Sequence, residues 1–194
     1  MKTVNDMVQR YYTSNDFSML RDRTKQDYQY FLRVMCKEFG DVKYDELTSK
    51  QAKHAYEDWV ARGISLANHV CTVSSIVFRY AIDMEYATIN PFANVKRKSA
   101  PQRKVVWTED DVRQFLDTAY STFEWRSIGL IVHMAYEWCQ RLGDMRLLTW
   151  DNFDFANRKL FLEQSKRRSQ VTLPIEDDLY DMLIHQEQDF GFQQ

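Results

Sequence analysis

Residues 138–154 read Trp-Cys-Gln-Arg-Leu-Gly-Asp-Met-Arg-Leu-Leu-Thr-Trp-Asp-Asn-Phe-Asp, and this stretch organises the second half of the chain. It places Arg141 directly after a thoroughly apolar segment, where an unpaired cation would be costly to bury. Farther along, Ser-Lys-Arg-Arg at 165–168 separates two segments of alternating apolar and polar residues that predict a β-hairpin. Arg141 at a helix end and Lys166 at a hairpin tip therefore form a candidate pair of phosphate-facing cations.

The composition is that of a globular protein. Of 194 residues, 44% are hydrophobic, and five glycines and three prolines leave little room for disorder, so the chain holds one large or two small domains. No apolar run approaches the roughly 20 residues of a membrane span, and the first residues lack the pattern of a signal peptide. We therefore expect a cytoplasmic protein that makes no membrane contact.

Neither the cysteines nor the histidines are spaced like metal ligands. Cys36, Cys71 and Cys139 are odd in number, far apart and embedded in apolar pattern, which is typical of reduced thiols in an intracellular protein. The four histidines are equally scattered, and His133 lies in an apolar segment, so we interpret it as a core histidine with a hydrogen-bonded ring. The sequence thus predicts no metal and no cofactor.

The net charge of −2 hides an asymmetry along the chain. Residues 1–104 carry 17 Lys and Arg against 12 Asp and Glu, whereas residues 105–194 carry 9 against 16. The basic first half favours a polyanionic partner. Ordinary solvated charged faces explain the same excess equally well.

The first 91 residues have the pattern of a four-helix domain. Apolar residues recur at three- and four-residue intervals, and Asn90-Pro91 ends helical structure. The segment 92–104 is basic, contains a proline and has no period, so we interpret it as a linker. Four helices are predicted. The first follows a capping signal at Thr3, and the second runs from Asp22 to Phe39. The third starts at a capping box at Thr48, and the fourth starts at a cap at Ser65.

Residues 105–194 predict a second domain of mixed α and β structure. Thr108 caps a helix, and the segment 126–139 is apolar on every face, which predicts a buried central helix. The remaining predicted elements are a short helix after Leu142, strands over 159–163 and 170–174, and a last helix from about Glu176.

This pattern resembles the phage integrase branch of the tyrosine recombinases over nearly the whole chain. In that family a conserved arginine lies in the motif Thr-Gly-x-Arg-x-x-Glu, which is followed by Leu-x-Trp-x-Asp-Ile-Asp; the two together are called the arginine box. Arg141 stands nine residues before Trp150, Asp144 takes the acidic position and Asp154 closes the box, whereas Trp138-Cys139 replace Thr-Gly. Further matches are Thr24 with Tyr28 and Phe31, Leu47-Thr48, Ser65-Leu66-Ala67-Asn68, Ile89-Asn90-Pro91 and Trp107-Thr108-Glu109-Asp110-Asp111.

The resemblance implies a mainly α fold in three parts. Residues 1–91 would form a four-helix, SAM-like core-binding domain, and 92–104 the basic linker. Residues 105–194 would form the α+β start of a catalytic domain, with a small antiparallel β-hairpin or sheet.

The resemblance also assigns roles to the cations. An arginine fork donates paired hydrogen bonds to phosphate oxygens and neutralises the transition state of phosphoryl transfer, which is the role implied for Arg141. Asp144 would hold that guanidinium in place. Lys166 matches the hairpin lysine that protonates the leaving 5′ oxygen, and Arg167 and Arg168 beside it would contact the DNA.

The expected partner is double-stranded DNA, which the full-length enzyme would bind as a tetramer on paired sites. The linker cations would cross the phosphate backbone, and the polar face of the fourth helix would enter the major groove. The linker residues are Lys96, Arg97, Lys98, Arg103 and Lys104, and the polar face carries Asn68, His69, Thr72 and Ser75.

The family's nucleophile has no match in this chain. A tyrosine nucleophile would follow a His-x-x-Arg motif, but the sequence contains no His-x-x-Arg, and Tyr180 stands too close to the hairpin. We therefore expect a truncated fragment of a site-specific recombinase that binds DNA and does not cleave it. A non-catalytic DNA-binding or regulatory protein on the same scaffold is the first alternative, and a helical protein-interaction module is the second.

Overall fold

A computed structural model of the protein describes residues 2–101 and 104–191, with side chains through residue 187. The chain divides into two units, Met1–Arg103 and Lys104–Gln194. The fold is mainly helical with one small antiparallel sheet, as predicted. Within the described residues, no helix combines the length and apolarity that crossing a membrane requires.

The first unit contains the four predicted helices and one additional turn. The additional helix is α2, which begins where the Ser14 hydroxyl accepts the backbone N–H of Phe17. The predicted capping boxes at Thr3 and Thr48 are both present. The helices of this unit are α1 (Val4–Tyr12), α2 (Asn15–Ser18), α3 (Asp22–Phe39), α4 (Ser49–Arg62) and α5 (Ile64–Asp83).

The start of α5 differs from its prediction. Ser65 does not cap it, because the helix begins one residue earlier, at Ile64, and the capping position is Gly63. Gly63 has a φ of +146°, a conformation that side-chain-bearing residues rarely adopt. The glycine therefore lets the chain turn directly from α4 into α5.

The predicted linker 92–104 begins inside the first unit. Phe92 and Val95 are buried, and the Phe92 ring stacks on Trp59 with centroids 6.3 Å apart and packs 5.7 Å from Phe78. From residue 96 to residue 101 every side chain is exposed. The first core thus extends past Asn90-Pro91, because two apolar side chains of the segment fill it.

The second unit packs three longer helices with a short sheet. Strand order is β1-β2-β3, all antiparallel, and Leu160 pairs with Leu173 in the β2–β3 hairpin. The two predicted strands have the predicted bounds, and β1 was not predicted. The elements are α6 (Glu109–Tyr120), α7 (Phe123–Glu137), α8 (Leu142–Met145), a 3₁₀ turn (Trp150–Asn152), β1 (Phe153–Asp154), β2 (Lys159–Glu163), β3 (Gln170–Pro174) and α9 (Asp177–Gly191).

The prediction that α7 is buried on every face is wrong. Leu130 and Met134 lie in the core, but Trp125, Ile128 and Tyr136 are about half exposed, with Trp125 at 58%. Helices α6, α8 and α9 contact α7, and among the described residues they cover one side of it. The apolar pattern therefore correctly predicted a helix that packs in the core of the second unit, but it did not show which of its faces other helices cover.

We expect Phe92→Ala to destabilise the first unit by about 3–5 kcal/mol, because it leaves a cavity beside Trp59 and Phe78. Urea unfolding followed by circular dichroism measures the change. Ile89→Ala is the matched control: Ile89 is 67% exposed, so its loss should change the free energy of unfolding by less than about 0.5 kcal/mol. Equal effects of the two variants would contradict the assignment of Phe92 to the core.

Candidate functional site

The turn that precedes Arg141 is held against the end of the hairpin. Helix α7 ends at Glu137, and the Trp138 indole N–H donates to the Pro174 carbonyl oxygen across 2.7 Å. Cys139 then adopts a left-handed backbone with a φ of +48°. Arg141 follows as the residue that precedes the first turn of α8.

Two glutamines connect this turn to the hairpin. The Gln164 side-chain amide donates to Gln140 Oε1 across 2.7 Å, and the Gln140 amide donates to the Trp138 carbonyl oxygen across 3.0 Å. Because Gln164 ends the β2 side of the hairpin, the bond fixes the turn before Arg141 to the base of the hairpin tip. Sequence reasoning missed both glutamines, since they stand far apart and belong to no periodic pattern.

Asp144 makes the second connection. It is 3% exposed, its Oδ1 accepts the Ser165 backbone N–H across 3.2 Å, and its Oδ2 lies 3.7 Å from Arg141 Nη1. Oδ2 is buried and accepts no hydrogen bond from the described residues. Hydrogen bonds from Ser165, with a smaller contribution from the Arg141 guanidinium, lower the pKa of this carboxyl below its usual value.

The hairpin tip presents three adjacent cations to solvent. The Gln164 N–H donates to the Ser169 carbonyl oxygen, and the Arg168 N–H donates to the Gln164 carbonyl oxygen, which closes the tip with Arg168 at a φ of +53°. Lys166, Arg167 and Arg168 are all exposed. The Asp144 carboxylate thus connects the half-exposed Arg141 side chain to the residue that precedes Lys166.

The polar side chains assigned to the major groove make contacts within the first unit. The Asn68 amide donates to the Lys98 carbonyl oxygen, its oxygen accepts the Tyr56 hydroxyl, and the His69 ring stacks on Phe31 with centroids 5.1 Å apart. The Thr72 hydroxyl donates to the Asn68 carbonyl oxygen, and the Ser75 hydroxyl accepts the Asn90 amide. Asn68, Thr72 and Ser75 therefore have hydrogen-bond partners within the unit, and the His69 ring is stacked within it.

The linker cations fall into two groups. Lys96, Arg97, Lys98 and Lys104 are exposed, and Lys98 forms an ion pair with Glu57. Arg103 lies outside the described residues.

The remaining candidates are packing residues. The Tyr120 hydroxyl lies 3.0 Å from His133 Nδ1, and burial lowers the pKa of this histidine, so it is a half-buried ring with a hydrogen-bond partner. Tyr180 packs against Phe155, with the Arg158 guanidinium 4.4 Å above its ring. Among the described residues, no cluster of three or more His, Cys, Asp or Glu could hold a metal ion.

The sequence profile of the phage integrase family matches residues 106–190, which is nearly all of the second unit. The second unit belongs to the phage integrase family. The predicted resemblance to the phage integrase branch of the tyrosine recombinases is thereby confirmed, and the family is one of site-specific recombination. No curated protein sequence matches the chain.

Solved integrase structures share the fold of both units. A lambda integrase dimer bound to a COC′ core site has a TM-score of 0.82 at 20% identity, and the match covers 94% of this chain and 68% of that one. A lambda integrase tetramer bound to a Holliday junction has a TM-score of 0.81 at 20% identity, with coverage of 94% and 56%. The Tn1549 transposon integrase with circular intermediate DNA has a TM-score of 0.79 at 16% identity, with coverage of 95% and 65%.

The chain spans part of the length of these solved structures. In one lambda integrase dimer the match covers 89% of this chain and 48% of the lambda chain. At these sequence identities the similarity establishes the fold alone.

The structure gives a physical reason for the family's glycine at the position of Cys139. The left-handed conformation destabilises the folded state by roughly 1–2 kcal/mol for a residue that has a Cβ. Glycine avoids this strain, but it loses more chain entropy on folding, which costs roughly 0.5–1 kcal/mol. We therefore expect Cys139→Gly to leave stability unchanged or raise it by up to about 1 kcal/mol, as measured by urea unfolding.

Cys139→Ala is the matched control, because it removes the exposed thiol and keeps the Cβ. It should change the free energy of unfolding by less than about 0.5 kcal/mol. A glycine variant that is less stable than the alanine variant would show that the left-handed turn carries no strain.

We expect Asp144→Asn to destabilise the second unit by about 1–3 kcal/mol at neutral pH, because it uncouples Arg141 from a buried carboxylate. The folded-state pKa of Asp144 is lowered, so its stabilisation is present above the ordinary value of 3.8 and is lost as the pH falls through the folded-state pKa. The difference between wild type and variant should therefore shrink below pH 3.8.

Unfolding free energies at several pH values measure this difference, with Asp151→Asn at an exposed carboxylate as the control. A difference between wild type and Asp144→Asn that stays constant down to the acid limit would exclude a charge-based role for Asp144.

Proposed function

We propose that this chain acts in site-specific DNA recombination, as the part of a tyrosine recombinase that grips the duplex and presents Arg141 to the scissile phosphate. The observation that carries the proposal is the buried Asp144 carboxylate, which joins the Arg141 guanidinium to the hairpin tip beside Lys166. A carboxylate in that position orients an arginine whose side chain is 46% exposed and free to meet an anion.

The proposed chemistry is an in-line displacement at phosphorus. A tyrosine from outside these residues, whose hydroxyl proton passes to a base also outside them, attacks the phosphorus as the phenolate; the bond to the 5′ oxygen breaks, and Lys166 donates a proton to that leaving oxygen. Arg141 donates two parallel hydrogen bonds to the non-bridging oxygens, where negative charge accumulates in the transition state. Asp144 keeps the guanidinium fork in one orientation and takes no proton.

Double-stranded DNA is the proposed partner, in the cytoplasm. Three observations support it: the basic balance of residues 1–104, the exposed cations at 166–168, and the DNA present with the lambda and Tn1549 integrases. Assembly of the full-length enzyme as a tetramer on paired sites follows by analogy with the lambda integrase tetramer on a Holliday junction.

A non-catalytic role in DNA binding is the second candidate function. The basic balance of residues 1–104 and the exposed cations at 166–168 support it, because contacts to phosphates bind DNA without any strand cleavage. In both cases we propose that the 194-residue polypeptide binds duplex DNA and does not cleave it.

Incubation with a nicked suicide duplex should give no covalent protein–DNA adduct on a denaturing gel, because no tyrosine among the described residues follows a His-x-x-Arg motif. The same duplex should bind in an anisotropy titration, and Arg141→Lys should weaken that binding about three- to tenfold, because lysine keeps the charge and loses the bidentate fork.

Arg146→Lys is the matched control, since Arg146 is an exposed arginine five residues away. It should change affinity by less than about twofold. A covalent adduct would refute the proposed inactivity, and equal effects of Arg141→Lys and Arg146→Lys would refute the assignment of Arg141.

A further inference from the structure

The segment that leaves the first core is fixed to that unit by side-chain bonds. We call residues 94–98 the strap. Its Lys98 N–H donates to the Tyr56 hydroxyl across 2.7 Å, and its Lys98 carbonyl oxygen accepts the Asn68 amide across 2.9 Å. The Tyr56 hydroxyl in turn donates to Asn68 Oδ1 across 2.7 Å, so the three groups form a closed cycle.

Further contacts hold the strap on both sides of this cycle. Val95 is buried in the first core, and the Lys98 ammonium pairs with Glu57 on α4. Burial raises the pKa of the Cys71 thiol, and the positive charge of Arg97 partly offsets that rise. A basic segment that the sequence predicted as an aperiodic linker is therefore an ordered part of the first unit as far as Lys98.

Docking of the strap creates a cleft against α4. The cleft has a volume of about 390 Å³ and is lined by Lys53, His54 and Glu57 from α4 and by Asn94 and Lys96 from the strap. A single water occupies about 30 Å³, so the cleft has room for a phosphate group together with several waters.

The charge of the cleft is positive. Lys53 and Lys96 are exposed lysines on its two walls, and the carboxylate of Glu57 is already paired with Lys98. Two ammonium groups, the Asn94 amide and the His54 ring can all donate hydrogen bonds there. This set of donors with an uncompensated positive charge matches a phosphodiester anion.

We propose that this cleft is a phosphate-binding site for the DNA backbone, in which Lys53 and Lys96 contact the anion. The Tyr56–Asn68–Lys98 cycle positions Lys96 by holding the strap in place. The proposal rests on the proposed function, since it names where a duplex would contact the first unit. It also gives Asn68 a positioning role in place of a role in reading bases.

The test is duplex binding by the whole chain, followed by anisotropy between about 50 and 200 mM salt. Each lost phosphate contact lowers the slope of log affinity against log salt by about 0.9. The double variant Lys53→Gln/Lys96→Gln should reduce the slope by between one and two and weaken binding about tenfold near 100 mM salt. The matched control Lys37→Gln, an exposed lysine on α3 outside the cleft, should change affinity less than twofold.

A third variant tests the positioning without changing charge. Tyr56→Phe keeps the buried ring and removes the hydroxyl, so affinity should fall about threefold. In the absence of DNA, the Lys98 amide, which donates to that hydroxyl, should exchange its hydrogen at least about tenfold faster than in wild type. Unchanged exchange and affinity in Tyr56→Phe would overturn the positioning role.

The outcomes separate this inference from the proposed function. If the wild-type chain binds the duplex with a salt-dependent affinity but the double variant behaves like Lys37→Gln, the cleft is not a phosphate site and the proposed function stands. If the wild-type chain shows no salt-dependent binding at all, both proposals fail.

Discussion

The site depends on one buried carboxylate. Asp144 is almost fully enclosed, yet one of its oxygens faces the Arg141 guanidinium and the other accepts the backbone of Ser165. Removing a carboxylate from water is costly unless hydrogen bonds and a cation compensate it, so the burial is tolerable only with both partners in place. The same requirement keeps the loop before α8 and the hairpin tip together, because separating them would leave the charge buried with one partner.

The second unit supports this arrangement with neutral contacts. Trp138 donates to the end of β3, and Gln164 donates to Gln140, so two bonds independent of charge hold the same loop to the same hairpin. Trp138 and Cys139 stand where the family's usual pair is Thr-Gly. The Trp138 indole reaches the Pro174 carbonyl oxygen, which the shorter side chain of a threonine at that position could not do. Cys139 adopts the left-handed backbone conformation that glycine adopts more easily.

Sequence reasoning recovered the features that depend on local pattern. Capping boxes at Thr3, Thr48 and Thr108 and the bounds of β2 and β3 follow from residue type and alternation, and all are present. The features it missed depend on distant partners. Nothing near Phe92 indicates that Trp59 would stack on it, and the pattern of α7 could not show which of its faces other helices cover.

The same limit applies to the candidate site. Arg141, Asp144 and Lys166 were predicted from motif spacing, whereas Gln140, Gln164 and Ser165 became visible once the hairpin and the loop lay side by side. Asn68 shows the opposite case. Its place on the polar face of a predicted helix favoured contact with a groove, but hydrogen bonds to Tyr56 and Lys98 use its amide inside the unit.

The half-exposed face of α7 has a thermodynamic consequence. Trp125, Ile128 and Tyr136 already contact water in the folded second unit, so unfolding adds little new hydration at these side chains. Both the heat-capacity increment and the denaturant m-value scale with newly hydrated surface. The second unit should therefore have a smaller m-value and a broader urea transition than the first, whose aromatic side chains Trp59, Phe78 and Phe92 are almost entirely enclosed.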